Sequence, residues 1–221
     1  MAPQLPDVLA DYAEAIGPEP DDVLREMGAQ AEREGFPHVG PGVGGWLALL
    51  ARLTDAERIF EFGSGFGYSA YWFARELPAD GEIVLTEIDA DELEQAREYL
   101  ARGDLADRAR FEHGDAIETI EDYEGPFDVV LIDNEKHRYA EAFEAVRDKV
   151  APGGVIAADN AVAAGSIVTE DLLAHFSGEA VEMNETTAGI AEYLEAVRSD
   201  PAFETALLTL GEGVAVSVRS H

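Results

Sequence analysis

The 221-residue sequence lacks cysteine and has no run of about 18 apolar residues. The absence of cysteine excludes disulfide scaffolds, thiolate metal sites and cysteine nucleophiles, so any metal must be held by oxygen or imidazole. The absence of a long apolar run, and of a basic segment followed by a small-residue cleavage site at the N-terminus, predicts neither a membrane span nor a signal peptide. We therefore expect a cytoplasmic protein that does not bind membranes.

Basic side chains are also scarce, with 15 lysines and arginines against 46 acidic residues and a net charge of −31. This balance predicts no nucleic-acid partner. The acidic residues are spread along a chain with regular apolar patterns, which excludes ordinary disorder. Salt at 1 M shortens the Debye length to about 3 Å and so screens the repulsion between acidic side chains. We therefore interpret the net charge as adaptation to the salt-rich cytoplasm of a halophile. The alternative interpretation of the net charge is an acidic surface that binds a basic partner.

The apolar pattern predicts an α/β fold. A hydrophobic fraction of 47% over this length fits a single domain, residues 1–221, with an N-terminal helical arm over residues 1–54. The last helix of the arm is predicted to start at Val43, after a Pro-Gly break. From residue 58 onward strands alternate with amphipathic helices, which predicts a Rossmann-like, mostly parallel sheet. The last two strands are separated only by Gly211-Glu212-Gly213, which predicts a C-terminal antiparallel hairpin. Residues 161–187 have weak periodicity and predict a loop with a short helix.

A glycine-rich turn, EFGSGFGYS, follows the first predicted strand. Gly63, Gly65 and Gly67 allow a sharp turn and a close approach of the backbone to a ligand at the carboxyl end of the sheet. The dinucleotide fingerprint would place its third glycine at position 68, where Tyr68 stands. The spacing is typical of the S-adenosylmethionine loop, although a purely structural turn explains it equally well.

Two acidic residues follow the next strands. Glu87 ends the second strand, where a carboxylate can accept hydrogen bonds from both ribose hydroxyls of a nucleoside cofactor. This position does not distinguish a nicotinamide cofactor from S-adenosylmethionine. Asp115 follows the third strand, where it can reach an adenine amino group, cap the next helix, or do both. Asp89 is predicted to cap the helix that begins near Ala90.

A candidate metal site follows the fourth and fifth strands. Asp133 ends one strand, and Asp159 and Asn160 end the other, so their side chains are expected roughly 5 Å apart at one edge of the sheet. Two carboxylates this close repel each other unless a cation lies between them. Oxygen ligands favour Mg²⁺, Mn²⁺ or Ca²⁺ over zinc. The alternative is that each aspartate caps the helix after its strand.

Six motifs carry a family resemblance: EFGSGFGYSA, LTEID, HGDA, FDVVLIDNEKHRY, GGVIAADN and TLGEGVAVSVR. From about residue 40 to the C-terminus the sequence resembles the cation-dependent class I O-methyltransferases, the family of catechol and caffeoyl-CoA O-methyltransferases. The resemblance implies S-adenosylmethionine, a divalent cation (Mg²⁺ foremost) and a possible homodimer. It assigns the metal to Asp133, Asp159 and Asn160. The predicted cofactor contacts are Glu61, Gly63, Gly65, Gly67, Ser69, Glu87, Asp115 and Asp133.

Lys136 matches the catalytic lysine of that family. The chain has only two lysines, Lys136 and Lys149, while its other basic side chains are arginine or histidine. A lysine near a divalent cation can lose its proton and act as a base, whereas an arginine stays protonated. The alternative is a surface lysine at a helix start, which we prefer for Lys149. His113 and His137 lack metal-ligand spacing and are interpreted as packing or surface residues.

The predicted function is transfer of a methyl group from S-adenosylmethionine to a hydroxyl of a small molecule. This molecule is expected to chelate the metal through two vicinal oxygens, as a catechol does. Two alternatives remain: an NAD-dependent oxidoreductase, against which Tyr68 argues, and a non-catalytic S-adenosylmethionine-binding module. The sequence does not identify the substrate. Trp46, Tyr139 and Phe176 either line an aromatic pocket or belong to the core.

Overall fold

A central sheet is the main feature of the computed structural model, which describes residues 7–221; the first six residues of the predicted arm lie outside the described residues. Its strands are β1 (Arg58–Phe62), β2 (Glu82–Glu87), β3 (Ala109–His113), β4 (Phe127–Ile132), β5 (Val150–Ala158), β6 (Phe203–Leu208) and β7 (Val214–Arg219). They are ordered β3-β2-β1-β4-β5-β7-β6. Strands β1 to β5 are parallel, and β7 pairs antiparallel with both β5 and β6. The predicted fold class is therefore confirmed.

Nine α-helices surround the sheet in the described part of the chain. They are α1 (Asp7–Ile16), α2 (Asp22–Glu34), α3 (Gly40–Leu53), α4 (Tyr68–Glu76), α5 (Ala90–Arg102), α6 (Ala116–Thr119), α7 (Tyr139–Val146), α8 (Thr169–Phe176) and α9 (Glu185–Ser199). Within residues 7–221 no helix combines the length and apolarity needed to cross a membrane. The short helix predicted within residues 161–187 is α8.

The start of α3 differs from the prediction. The sequence indicated a Pro-Gly break before a helix starting at Val43, but the helix already begins at Gly40 and includes Pro41 in its first turn. A proline is tolerated there because the first-turn N–H groups have no intrahelical acceptor. The expected break is therefore wrong.

Side chains alternate between the two faces of the sheet and build two hydrophobic clusters. Ile59 of β1 packs with Leu24, Met27 and Leu47 on one face, whereas Phe60 packs on the other face. Helices α2 and α3 of the predicted arm thus form part of the core layer that covers the first face. This packing holds the loop between α2 and α3 beside the carboxyl ends of the strands.

The chain reverses direction across the sheet between β1 and β4. It runs outward from β1 to β3 and then crosses back to place β4 on the other side of β1. Ligands of open α/β sheets bind at such a switch point, beyond the carboxyl ends of the strands. The loops that follow β1 to β5 are therefore expected to form the site.

Candidate active site

A cavity of about 970 Å³ lies at this switch point. Its volume is at the upper end of the range for small-molecule sites and suits a nucleoside cofactor together with a small acceptor. One wall is the loop between α2 and α3, residues 36–39, and the floor is the glycine-rich turn. Further contributions come from the ends of β2, β3, β4 and β5, the turn at residues 134–138, the segment 164–166 and Glu212 of the C-terminal hairpin.

The glycine-rich turn is packed closely on both sides. Gly63, Gly65 and Gly67 have φ angles of +80°, +49° and +85°, which disfavour any side chain. A Cβ on Gly63 would lie 2.8 Å from the backbone oxygen of Asp133, and one on Gly67 would lie 2.8 Å from Cβ of Ala96. Gly63 and Gly65 line the cavity, whereas Gly67 lies behind it against α5. Gly67 therefore serves the packing of the turn.

A buried carboxylate lies beneath the turn. Glu61 of β1 is 0% exposed, and its Oε1 accepts a hydrogen bond from Ser69, which lines the cavity. Its Oε2 has no hydrogen-bond partner in the described part of the chain. Burial raises the pKa of Glu61 to about 8, the Ser69 hydroxyl opposes the shift, and Asp133 and Glu87 add to it. A buried carboxylate oxygen without a partner is unfavourable unless the carboxyl group is protonated or meets a positive charge.

Glu87 is held by backbone groups. Its Oε2 accepts from the N–H of Gly65 at 2.8 Å, and its Oε1 accepts from the N–H groups of Ile88 at 2.8 Å and Asp89 at 3.0 Å. These bonds fix a carboxylate on the cavity wall, as a ribose-binding residue requires. Asp89 accepts from the N–H of Asp91 at 2.9 Å and caps α5, as predicted.

Asp115 caps α6 and also forms an ion pair. Its Oδ1 accepts from the N–H of Ile117 at 2.8 Å, and its Oδ2 accepts from Nη1 of Arg138 at 2.6 Å. Burial alone would raise the pKa of Asp115, but the hydrogen bonds from Arg138 and Ile117 outweigh it and lower the pKa. Both Asp115 and Arg138 line the cavity. The capping role is confirmed, and the adenine contact stays a prediction.

The two aspartates at the ends of β4 and β5 lie side by side. The N–H of Asp159 donates to the carbonyl oxygen of Ile132, the residue before Asp133, at 3.1 Å. Asp159 is 4% exposed, and its Oδ1 is buried without a hydrogen-bond partner in the described residues. Burial and the neighbouring Asp133 carboxylate raise the pKa of Asp159 to about 7. Such a pair is stabilised by a cation between its oxygens.

The donor set suits a hard cation that prefers oxygen. Asn160 follows Asp159 with φ +58°, and both residues line the cavity with Asp133. Residues 7–221 contain no cluster of three or more histidine, aspartate or glutamate side chains in a metal-binding arrangement. The predicted site consists instead of two carboxylates and one amide, so metal binding stays a prediction that the donor chemistry supports.

Lys136 lies in the cavity beside these aspartates. It begins a 3₁₀ turn, Lys136–Arg138, and its Nζ donates to Oδ1 of Asp133 at 2.9 Å. Nζ also lies 5.1 Å from the ring centroid of Tyr139, whose hydroxyl donates to the Asp159 carbonyl oxygen at 3.1 Å. The side chain is 19% exposed, so a surface lysine is the wrong interpretation. Lys149 contacts the Ile120 carbonyl oxygen, outside the cavity lining.

The aromatic residues of the cavity are not those considered from the sequence. Trp46, Tyr139 and Phe176 are absent from its lining, and Tyr139 is a fully buried core residue. Phe36 and His38 line it instead. They pack edge-on against Phe66 and Tyr68, with ring centroids 5.1 Å and 4.7 Å apart. The residues before α3 show no helical or strand periodicity, so the sequence contained no signal that placed them here.

The fold and this cavity have the features predicted for a Rossmann-like methyltransferase. A parallel sheet is completed by an antiparallel C-terminal pair, and a glycine-rich turn and an acidic strand end border the same cavity as an aspartate pair and a lysine. Tyr68 begins α4 where a dinucleotide-binding turn would have its third glycine.

Comparisons with known proteins identify the family. A family model described as O-methyltransferase matches residues 19–220. The catechol O-methyltransferase of Niastella koreensis is 34% identical over 165 residues, which cover 72% of this chain and 74% of that protein. Caffeoyl-CoA O-methyltransferase 2 of Petunia hybrida is 28% identical over 214 residues, which cover 91% and 84%. The chain belongs to the O-methyltransferase family.

The solved structures agree with this family. The O-methyltransferase from Bacillus cereus, solved in complex with SAH, superposes with a TM-score of 0.83 at 26% identity, covering 96% of this chain and 97% of that one. The predicted family and its methyl-transfer activity are thereby confirmed, and an oxidoreductase is no longer a candidate.

Proposed function

We propose that the protein transfers the methyl group of S-adenosylmethionine to a hydroxyl of a small molecule with two vicinal oxygens, such as a catechol. A divalent cation, Mg²⁺ foremost, is held by Asp133, Asp159 and Asn160. The observation that carries this proposal is the buried Oδ1 of Asp159, which has no hydrogen-bond partner among the described residues and lies beside a second carboxylate. A buried carboxylate oxygen left in this state is strongly unfavourable without a compensating charge.

The relatives support the acceptor class. The Niastella koreensis protein is named a catechol O-methyltransferase and the Petunia hybrida protein a caffeoyl-CoA O-methyltransferase. A bound divalent cation would lower the pKa of a coordinated hydroxyl and align it. Vicinal oxygens allow a small molecule to chelate such an ion. We therefore expect a chelating diol or phenol as the acceptor.

The residues around the cation site have distinct roles in this proposal. Lys136, in its neutral form, accepts the acceptor's hydroxyl proton at Nζ. The resulting oxyanion attacks the methyl carbon of the sulfonium; the carbon–oxygen bond forms as the carbon–sulfur bond breaks, and S-adenosylhomocysteine leaves. Charge is dissipated in this step, so the protein contributes alignment and exclusion of water rather than a covalent intermediate.

The cofactor is proposed to lie over the glycine-rich turn. Glu61 and Ser69 receive its amino group, Glu87 its ribose and Asp115 its adenine. The unpaired Oε2 of Glu61 and the fixed carboxylate of Glu87 support the first two contacts. The Asp115 contact has the weakest support because its Oδ2 already forms an ion pair with Arg138.

The cellular setting is proposed from composition. A net charge of −31 on a folded chain suits a salt-rich cytoplasm, where repulsion between surface charges is screened. A homodimer, and the absence of nucleic-acid or membrane partners, stay predictions.

A matched pair of acceptors tests the proposed function. Catechol and resorcinol differ only in whether their two hydroxyls are adjacent, so only catechol chelates a single ion. With methyl-labelled S-adenosylmethionine, Mg²⁺ and high salt, we expect label in catechol and other vicinal diols and none in resorcinol. Equal labelling of both compounds would overturn chelation. Tight cofactor binding without transfer to any member of a broad panel of diols and phenols would favour a non-catalytic binding module.

A further inference from the structure

The turn between β6 and β7 is docked onto the residues that follow β5. The N–H of Ala161 donates to the carbonyl oxygen of Gly213 at 2.7 Å, and the N–H groups of Val162 and Ala163 donate to that of Glu212 at 3.0 Å and 2.8 Å. A Cβ on Gly213 would lie 2.2 Å from Cγ2 of Val162, so only glycine allows this approach. The turn therefore has a fixed position relative to the proposed metal ligands.

One side-chain hydrogen bond extends this docking into the cavity. Oε2 of Glu212 accepts from Nδ2 of Asn160 at 2.6 Å. Asn160 is 9% exposed and has a left-handed backbone, and both residues line the cavity. The bond joins positions 52 residues apart in the chain. Neither the sequence motifs nor the proposed function gives Glu212 a role.

The two ends of a carboxamide have nearly the same shape but opposite hydrogen-bonding chemistry. The nitrogen only donates, whereas the oxygen accepts and is the only end that can bind a hard cation. An ionised carboxylate only accepts, so Glu212 favours the rotamer of Asn160 that turns Nδ2 toward it. The flipped rotamer would bring the amide oxygen against the carboxylate, which is repulsive. Oδ1 is thereby kept available as a ligand.

We propose that Glu212 is a positioning residue that orients the Asn160 carboxamide so that its oxygen, and not its nitrogen, is presented to the divalent cation. This inference rests on the proposed metal site. It assigns Glu212 a role through Asn160 rather than as a ligand in its own right. Residues that orient metal ligands in this way typically contribute 10- to 100-fold to metal affinity.

Mn²⁺ binding, measured by electron paramagnetic resonance of the free ion, tests the proposal without turnover, cofactor or acceptor. We expect Glu212→Ala to weaken Mn²⁺ binding by about 10-fold or more. Glu212→Gln retains an oxygen that accepts from Nδ2 and loses only the charge assistance, so its affinity should stay within about threefold of the wild type. Glu204→Ala is the matched control because Glu204 is an exposed carboxylate of the same hairpin, in β6, and should change nothing.

The outcomes separate this role from its rivals. Equal weakening by Glu212→Ala and Glu212→Gln would overturn the proposal and indicate that the charge of Glu212 itself binds the ion. Wild-type affinity in both variants would overturn it and leave Glu212 a contact for the acceptor. If the wild type binds no Mn²⁺, the metal site of the proposed function fails, and this role fails with it.

A reciprocal exchange keeps the test decisive if Glu212→Ala does not fold. Asn160→Asp places a carboxylate against Glu212, and adding Glu212→Gln restores a donor–acceptor pair with the roles reversed. We expect the double variant to bind Mn²⁺ more tightly than Asn160→Asp alone. Equal affinity of these two variants, with equal thermal stability, would contradict an orienting hydrogen bond.

Discussion

The two halves of the cavity are built in different ways. The cofactor half consists mainly of one contiguous segment, the glycine-rich turn at residues 63–69, with Glu61 buried behind it. The strand ends at Glu87 and Asp115 complete it. The acceptor half is assembled from separate parts of the chain: the ends of β4 and β5, the segment 164–166 and the hairpin residue Glu212. Local sequence therefore specifies the first half, whereas the second depends on the strand order of the sheet.

The halves also differ in how their carboxylates are satisfied. The Glu87 carboxylate accepts hydrogen bonds from three backbone N–H groups. Asp159, in contrast, has a buried oxygen without a hydrogen-bond partner among the described residues. Glu61, which also has an unpaired buried oxygen, is the exception in the cofactor half. Each half thus has one buried carboxylate oxygen that an added positive charge would stabilise, at Asp159 in the acceptor half and at Glu61 in the cofactor half. Variants in one half should thus leave the other half's measurement unchanged.

The largest expected effect is the loss of turnover when Lys136 is replaced. Lys136→Arg keeps a positive charge beside Asp133 but removes a group that can accept a proton, so turnover should fall on the order of 10²–10⁴-fold. S-adenosylhomocysteine affinity, measured by calorimetry, should not change. Lys149→Arg, outside the cavity lining, is the control. Wild-type turnover in Lys136→Arg would remove the lysine from the chemistry.

A smaller effect, on cofactor binding, is expected when Glu61 is replaced. Its raised pKa of about 8 means that the carboxyl is mostly protonated at pH 7 in the free protein. Binding of the cofactor's cationic amino group favours the ionised form, so up to one proton should be released on binding at pH 7 and almost none well above pH 8. Calorimetry in buffers of different ionisation enthalpy measures this release. Glu61→Gln should abolish it and weaken binding about 10-fold or more.

The raised pKa of Glu61 also predicts how the stability of the free protein changes with pH. The folded-state pKa of Glu61 is raised from 4.5 to about 8, so its contribution to stability is fully present below about pH 4.5 and is lost as pH rises through about 8. The difference in free energy of unfolding between wild type and Glu61→Gln should follow this direction. A pH-independent difference, or no proton release in the wild type, would contradict burial as the cause.

The smallest effect is expected at Arg138, which lies between the halves. Arg138→Gln removes the 2.6 Å ion pair with Asp115. Because the pair is partly exposed, cofactor affinity should fall no more than about fivefold, and less at high salt. Arg110→Gln, which breaks an exposed pair with Glu82 away from the cavity, is the matched control. A large loss in turnover at constant cofactor affinity would instead place Arg138 in the acceptor half.

The sequence predicted the features that depend on local pattern. The strand–helix alternation predicted the sheet, and strand ends placed Asp133 and Asp159 together because neighbouring parallel strands end at the same edge. Arg138, Glu212 and the residues at 36–39 were not predicted as parts of the site. Their positions depend on how loops and helices close over the sheet, which no spacing in the chain encodes.

Chelation of the protein's divalent cations tests the central claim most directly. Methyl transfer from labelled S-adenosylmethionine to catechol is measured before EDTA, after EDTA and after Mg²⁺ is restored, for the wild type and for Asp159→Ala. We expect EDTA to reduce wild-type turnover to background while S-adenosylhomocysteine still binds, Mg²⁺ to restore it, and Asp159→Ala to be inactive throughout. Undiminished methylation in EDTA would contradict a cation held by Asp133, Asp159 and Asn160.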